Sequence, residues 1–265
     1  MDGPGVSEDI LYEVDDRVAW VTINRPDAGN GLTSATYSLL AEMLHRAEAD
    51  PEARVVALTG AGDTHFSGGG DTKHHKRRTS NNLRLHLGKL AEVSMVIRNM
   101  GKPTIAAVNG RAIGGGHQLQ LLCDISIASE SAILGQDGSR RAAAPFFWGL
   151  QLLSSYVGEK KAREMCILSR EYPASEALDM GLVTAVVPHP ELRAEVRRWA
   201  DELLTLDPDS LRAWKTALNH PSDLNYAALF EGREMLALFA GTAEWKLGNA
   251  AYGSGELPDW SEFRI

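Results

Sequence analysis

Two glycine clusters give this chain its first chemical possibilities. Gly114-Gly115-Gly116 stands directly before Leu119, Leu121 and Leu122, where a helix is expected to start. His65-Phe66-Ser67-Gly68-Gly69-Gly70-Asp71 forms the second cluster. Glycines at a helix start leave backbone N–H groups facing outward with no Cβ in the way. Two such groups aimed at one point stabilise a developing oxyanion. Each donor of this kind contributes about 3–4 kcal/mol in a serine protease. A glycine-rich turn that only permits close helix packing has the same local sequence. The pairing of two clusters is what favours the chemical reading.

Each cluster follows a short apolar run with β-branched ends, Val55-Val56-Ala57-Leu58-Thr59 in one case and Thr104-Ile105-Ala106-Ala107-Val108 in the other. Such runs read as buried strands. Two strand, glycine-loop, helix units are therefore expected to present amides at the same end of one sheet. Val18–Ile23 is a further strand, with Leu11–Val14 pairing to it through an Asp15-Asp16 turn. Ile125–Ala128 and Leu182–Val187 complete the set. Thr33 or Ser34 caps a helix with Leu39, Leu40, Met43, Leu44 and Ala47 on its apolar side. A second helix spans 83–99, with Leu83, Leu87, Leu90, Ala91 and Ile97 buried. The spacing predicts more helices over 115–122, 149–156 and 159–169, then a helical turn at Glu176–Met180 that Gly181 breaks. Beyond Pro188 and Pro190 the pattern is helical throughout, at 191–206, 208–219, 224–240 and 242–252. This suggests a mixed α/β core over residues 1–190 and a helical region over 191–265. No repeat is visible in the sequence itself.

Composition bounds the function. The 265 residues are 44% hydrophobic and 23% charged, as in an ordinary soluble protein with a sizeable core. The formal charge of −8 argues against a nucleic-acid partner. No apolar run is long enough for a membrane span, and the first ten residues, MDGPGVSEDI, lack a basic and then apolar leader. Cys123 and Cys166 lie in apolar surroundings and read as reduced thiols of a cytoplasmic protein. One basic run, Lys73-His74-His75-Lys76-Arg77-Arg78, adjoins the first glycine cluster. It is either a solvated loop or an electropositive rim for phosphates or a carboxylate. Its histidines have no carboxylate or cysteine at ligand spacing, so no metal site is expected.

NRPDAGN (Asn24–Asn30), HFSGGGD (His65–Asp71), KPTIAAVNGRAIGGG (Lys102–Gly116), CDISIAS (Cys123–Ser129), LGQ (Leu134–Gln136) and ALDMGLVTAVVP (Ala177–Pro188) together resemble the crotonase, or enoyl-CoA hydratase/isomerase, superfamily. The resemblance runs in register over nearly the whole chain. GEKKARE (Gly158–Glu164) and the GGGH triplet look most like its dihydroxynaphthoyl-CoA synthase and 2-ketocyclohexanecarboxyl-CoA hydrolase branches. The resemblance implies an α/β fold, a spiral of ββα units followed by a helical tail that packs in trimers or dimers of trimers. It also implies an oxyanion hole at positions matching Gly70 and Gly115, which holds the enolate of an acyl thioester. No separate cofactor is implied, CoA or another thioester carrier being part of the substrate.

The acid–base positions depart from that family. The hydratase glutamates match Gln118 and Gly138, and an amide or a hydrogen cannot act as a general base. The aspartate and tyrosine of the two branches match Pro145 and Ala240. A bicarbonate site of the synthase branch matches Gln136, Gly138 and Cys166, where a tryptophan has become cysteine. Relatives also carry basic groups for the nucleotide at segments that here read Ala28-Gly29 and Ser254–Pro258. The proton carrier is therefore expected among His117, Asp137, Arg140, Arg141 and Tyr252, with Asp137 and His117 foremost. Substrate contacts are expected from Gly69, Gln136, Gly138, Arg140, Lys73, Arg77 and Tyr252. On this reading C–C bond formation or cleavage next to a carbonyl, on a thioester or a β-dicarbonyl, comes first. Hydration with relocated acid–base groups, or a binding subunit without chemistry, are the alternatives.

Overall fold

The computed structural model describes residues 8–71, 79–143, 149–254 and 257–263. Its strands, numbered in chain order, form two sheets. The larger contains β1 (Ile10–Asp15), β2 (Val18–Ile23), β3 (Val55–Gly60), β5 (Thr104–Val108), β7 (Ile125–Ser129) and β10 (Ala185–Val187), in the order β1-β2-β3-β5-β7-β10. The smaller contains β4 (His65–Ser67), β6 (Arg111–Ile113), β8 (Ile133–Gly135) and β9 (Glu171–Pro173), in the order β4-β6-β8-β9.

The large sheet is parallel apart from the β1–β2 hairpin. That hairpin turns on Asp16 and Arg17, both at positive φ, one residue later than the sequence suggests. Two positive φ values give the turn the twist that a two-residue hairpin needs. Both faces of the sheet are covered, which is why its central strands read as unbroken apolar runs. Val18, Trp20, Ala57 and Ile105 point to one face and meet Leu192, Val196 and Ala200 of helix α7 (Leu192–Leu204). Ala19, Val21, Leu58 and Ala106 point to the other, the main core under α1 (Ser34–Ala49) and α2 (Ser80–Asn99). Thr33 caps α1 as expected, its side chain accepting from the Thr36 amide.

The small sheet has no clear counterpart in the sequence reading, and it changes the picture of the glycine loops. Neither loop leaves the large sheet directly. β3 leads to β4 and then α2; β5 leads to β6 and then α3 (Gly115–Leu122); β7 leads to β8 and a short 3-10 turn, Gly138–Arg141. Each unit gives one strand to each sheet before its helix, a repeated ββα spiral. β4, β6 and β8 are mutually parallel, so the three segments that follow them emerge side by side. The last strand of the large sheet is shorter than expected, Leu182–Thr184 being taken up by the turn after Gly181.

The chain continues through α4 (Gly149–Val157), α5 (Glu159–Ile167) and α6 (Ala174–Asp179). From Leu192 onward every described regular element is helical: α7, α8 (Pro208–Asp223), α9 (Tyr226–Phe239) and α10 (Ala243–Ser254). α8 is fixed to the core by buried Lys215, whose Nζ meets the Asp124 carboxylate at 2.8 Å and the Ile97 carbonyl at 2.9 Å. No described helix is long and apolar enough to cross a membrane.

Candidate active site

The edge where β4, β6 and β8 end opens into a cavity of about 560 Å³. Gly70, Gly115, and the pair Asp137 and Gly138 reach it from the three consecutive segments. The segment after β4 is tightly bonded. The Gly68 amide donates to the Gly29 carbonyl, that of Gly69 to Ser67 Oγ, and that of Asp71 to the Leu32 carbonyl. The Gly70 amide alone in this run meets no acceptor among the described residues. Gly115 is the first residue of α3, where helical geometry offers its N–H no intrahelical acceptor, and no other described residue supplies one. The two amides are close: a Cβ built on Gly115 would stand 3.8 Å from the Gly70 nitrogen.

Glycine is required at two neighbouring positions for this approach. A Cβ on Gly69, at φ +80°, would lie 2.8 Å from both the Gly115 nitrogen and the Ile113 carbonyl oxygen. One on Gly116 would lie 2.0 Å from the Ser67 carbonyl oxygen. Gly69 thus does not reach the cavity wall itself; it lets the two loops meet.

The remaining expected residues divide by direction. Asp137 lines the cavity and pairs with Arg141, both side chains being buried. Arg140 is exposed and Arg141 faces inward, since successive residues of a 3-10 turn point about 120° apart. His117 is fully buried and does not line the cavity. At about 100° per residue, two steps from Gly115 turn it to the far side of α3, and a third step brings Gln118 back to the cavity. Burial pushes the His117 pKa down to about 3, so its ring is neutral, and its Nδ1 faces the Gln136 amide nitrogen at 2.9 Å. Gln136 and Gly138 line the cavity, as does Cys166, whose thiol burial raises to about 11. Lys73, Arg77 and the rest of the basic run, Pro145, and the Tyr252 side chain lie outside the described residues.

Several wall residues were not singled out in the sequence. His86 faces the cavity from α2, its Nδ1 2.8 Å from Ser34 Oγ and its ring edge-on to Tyr37 at 5.4 Å. It falls between Leu83 and Leu87 on the apolar side of α2, a signal equally suited to a core histidine. Glu159, paired with Arg163 at 2.7 Å, reaches the cavity from α5. Leu236 of α9, with Trp245 and Asn249 of α10, adds a wall from the C-terminal helices. No group of three or more potential metal ligands occurs among the described residues.

The family profile described as enoyl-CoA hydratase/isomerase matches residues 13–262. The chain belongs to this family. Solved structures agree over nearly the full length. An enoyl-CoA hydratase/isomerase from Xanthobacter autotrophicus Py2 is 32% identical, with 93% of this chain and 94% of that one covered at a TM-score of 0.84. An enoyl-CoA hydratase from Mycobacterium avium subsp. paratuberculosis K-10 is 29% identical, over 96% and 98% of the two chains, at 0.83. A carnitinyl-CoA hydratase from Mycobacterium avium is 27% identical, over 97% and 100%, also at 0.83. The crotonase resemblance and its fold are thereby established for this member.

Proposed function

We propose that this family member holds the carbonyl oxygen of an acyl thioester between the Gly70 and Gly115 amides and stabilises the enolate formed at the adjacent carbon. The observation that carries this reading is the pair of amides, without an acceptor among the described residues, that meet at one cavity. An oxyanion held there accepts both N–H groups at no cost in rearrangement. Two of the named relatives are hydratases, which favours water addition to an enoyl thioester, or its reverse, over the C–C chemistry that the sequence alone puts first.

Water addition needs two proton carriers, one for the water and one for the α-carbon. Gln118 and Gly138 supply neither. Asp137 and His86 both face the cavity, from the β8 side and from α2 respectively, and we assign them these roles. Arg141 pairs with Asp137 and fixes the direction of its carboxylate. Ser34 orients the His86 ring through Nδ1. C–C cleavage is a second reading, favoured by an amide at Gln118 and no side chain at Gly138, where a water would otherwise be clamped between carboxylates.

One experiment separates the readings. Enoyl-CoA and 3-oxoacyl-CoA panels are incubated in D2O, and hydration, fragmentation and α-deuteration are followed by NMR. Hydration supports the first reading and fragmentation the second. If no substrate exchanges its α-proton, the enolate reading fails. We also propose a trimer or dimer of trimers, because the tail exposes Trp214, Leu218, Leu224 and Leu238. A monomer in light scattering at micromolar concentration would count against it.

A further inference from the structure

The turn that carries Asp137 and Arg141 ends in a strained residue, and α10 sits on it. Ala142 closes the 3-10 turn Gly138–Arg141 at φ +53°, a conformation that residues with a Cβ rarely adopt. Such strain persists where the surrounding structure fixes the backbone more firmly than its own preference does. On one side the fixing element is α10. A Cβ built on Gly248 would stand 2.6 Å from the Arg141 carbonyl carbon, 2.7 Å from its oxygen and 3.0 Å from its Cα. These are backbone atoms, which cannot swing aside as a side-chain tip can. Gly248 is buried, and glycine inside a helix weakens it relative to alanine. The close seat of α10 on the turn is what requires it.

The seat reaches the chemistry in one step. Arg141, met from behind at its backbone, turns its side chain inward to Asp137, the two side chains being 7% and 10% exposed. Asp137 Oδ1 in turn stands 2.8 Å from where a Cβ on Gly114 would be, and Gly114 immediately precedes the Gly115 amide. The carboxylate is therefore beside the hole, where small displacements count. α10 is stiffened around Gly248. The Trp245 amide donates to Thr242 Oγ1 at 3.1 Å, and the Trp245 carbonyl accepts from Asn249 Nδ2 at 2.7 Å.

From this we infer that Gly248 is a positioning residue: seated on the Arg141 backbone, it sets where the Asp137 carboxylate stands against the Gly70 and Gly115 amides. The inference deepens the reading above and rests on it for the role of Asp137. Glycine offers no side chain to a substrate, so its effect runs through the Arg141 backbone.

The test compares Gly248→Ala with Lys246→Ala, an exposed position on the same helix, in the full-length protein. Hydrogen–deuterium exchange by mass spectrometry follows residues 137–143, where the Arg140 and Ala143 amides bond to the Asp137 and Gly138 carbonyls. Kinetics use whichever CoA thioester of the panel above the wild type turns over fastest. Gly248→Ala should speed exchange in 137–143 by about tenfold or more. It should lower kcat of the folded fraction about 10- to 100-fold and keep KM within about twofold. Lys246→Ala should do neither. A merely structural glycine would change the folded fraction and leave kcat as it was. Unchanged exchange, unchanged kcat, a rise in KM alone, or equal losses in both variants overturns the inference. If Gly248→Ala fails to fold, native-state exchange of the wild type in a urea series decides. The 137–143 amides should lose protection in the same opening as α10, and turn amides that stay protected after α10 opens overturn it. Alpha-deuteration by the wild type keeps the two proposals apart. Alpha-exchange without a Gly248 effect defeats only this one. A wild type without α-exchange defeats the enolate reading, and hydrogen exchange in 137–143 then judges the seat by itself.

Discussion

The two sheets of this molecule are built on opposite terms. The large sheet has four central strands of five or six residues, sandwiched between α7 on one face and the main core on the other. In the small sheet each strand has three residues. The large sheet spends its backbone groups on its own ladder and its side chains on apolar burial. The small sheet ends each strand early and leaves amides such as those of Gly70 and Gly115 without a partner among the described residues. One sheet is scaffold, and the other delivers three short segments to a cavity.

The largest effect expected from this contrast is at Gly116. A methyl there meets the Ser67 carbonyl at 2.0 Å, so β4 and α3 must separate and the two amides lose their common focus. Gly116→Ala should slow α-deuterium exchange by at least about 100-fold, the scale of one lost oxyanion donor. An unchanged rate would show that the small sheet does not set the hole.

Leu58 of β3, 2% exposed, is the counterpart in the large sheet. Leu58→Ala should cost about 2–5 kcal/mol in denaturant unfolding, the usual range for a buried leucine. The exchange rate of the folded fraction should stay as it was. A matching collapse in exchange rate would break the division between the sheets.

His117 tests the same division by pH. Its folded pKa of about 3 lies below the ordinary value of 6.5, because burial disfavours the charged ring. The unfolded chain therefore binds the proton more readily. The stability at issue is fully present above pH 6.5 and is lost as pH falls towards 3, by at most about 1.4 kcal/mol per pH unit. His117→Gln should flatten that part of the acid slope in urea titrations. It should leave the pH profile of α-exchange in place if His86 and Asp137 carry the protons.

What was legible in the sequence follows the same line. The runs Val18–Ile23 and Thr104–Val108 match β2 and β5 residue for residue, because a strand buried on both faces must be apolar throughout. Helix 115–122 was equally plain. The three-residue strands were not, since three residues carry no period and their pairing depends on contacts far along the chain. The two glycine clusters are legible as motifs without the sheet that holds them, and the family resemblance picks out Gly70 and Gly115 within them. The direction of His117 and the cavity-facing place of His86 depend on helix phase, and Asn249 depends on how α10 folds back, which no local pattern records.

The smallest expected effect is also the finest comparison. Ser67 Oγ, fully buried in β4, donates to the Asn30 carbonyl at 2.8 Å and accepts from the Gly69 amide at 3.1 Å. It is one of four tethers around Gly70 among the described residues, with the bonds of the Gly68 amide to Gly29, of the Leu32 amide to the Gly69 carbonyl and of the Asp71 amide to Leu32. Thr59 Oγ1 in β3 makes a similar bond, to the Ala107 carbonyl at 2.9 Å. Ser67→Ala and Thr59→Val each remove a hydroxyl, at about 1–3 kcal/mol where a buried group is left bare. Loosening Gly70 should lower kcat with little change in KM, by about tenfold for Ser67→Ala, the mark of an interaction made only in the transition state. Thr59→Val should lose stability and keep kcat, because its strand reaches the cavity only through β4. Equal kcat losses in the two variants would mean that the hole answers to overall stability, with no special role for the small sheet.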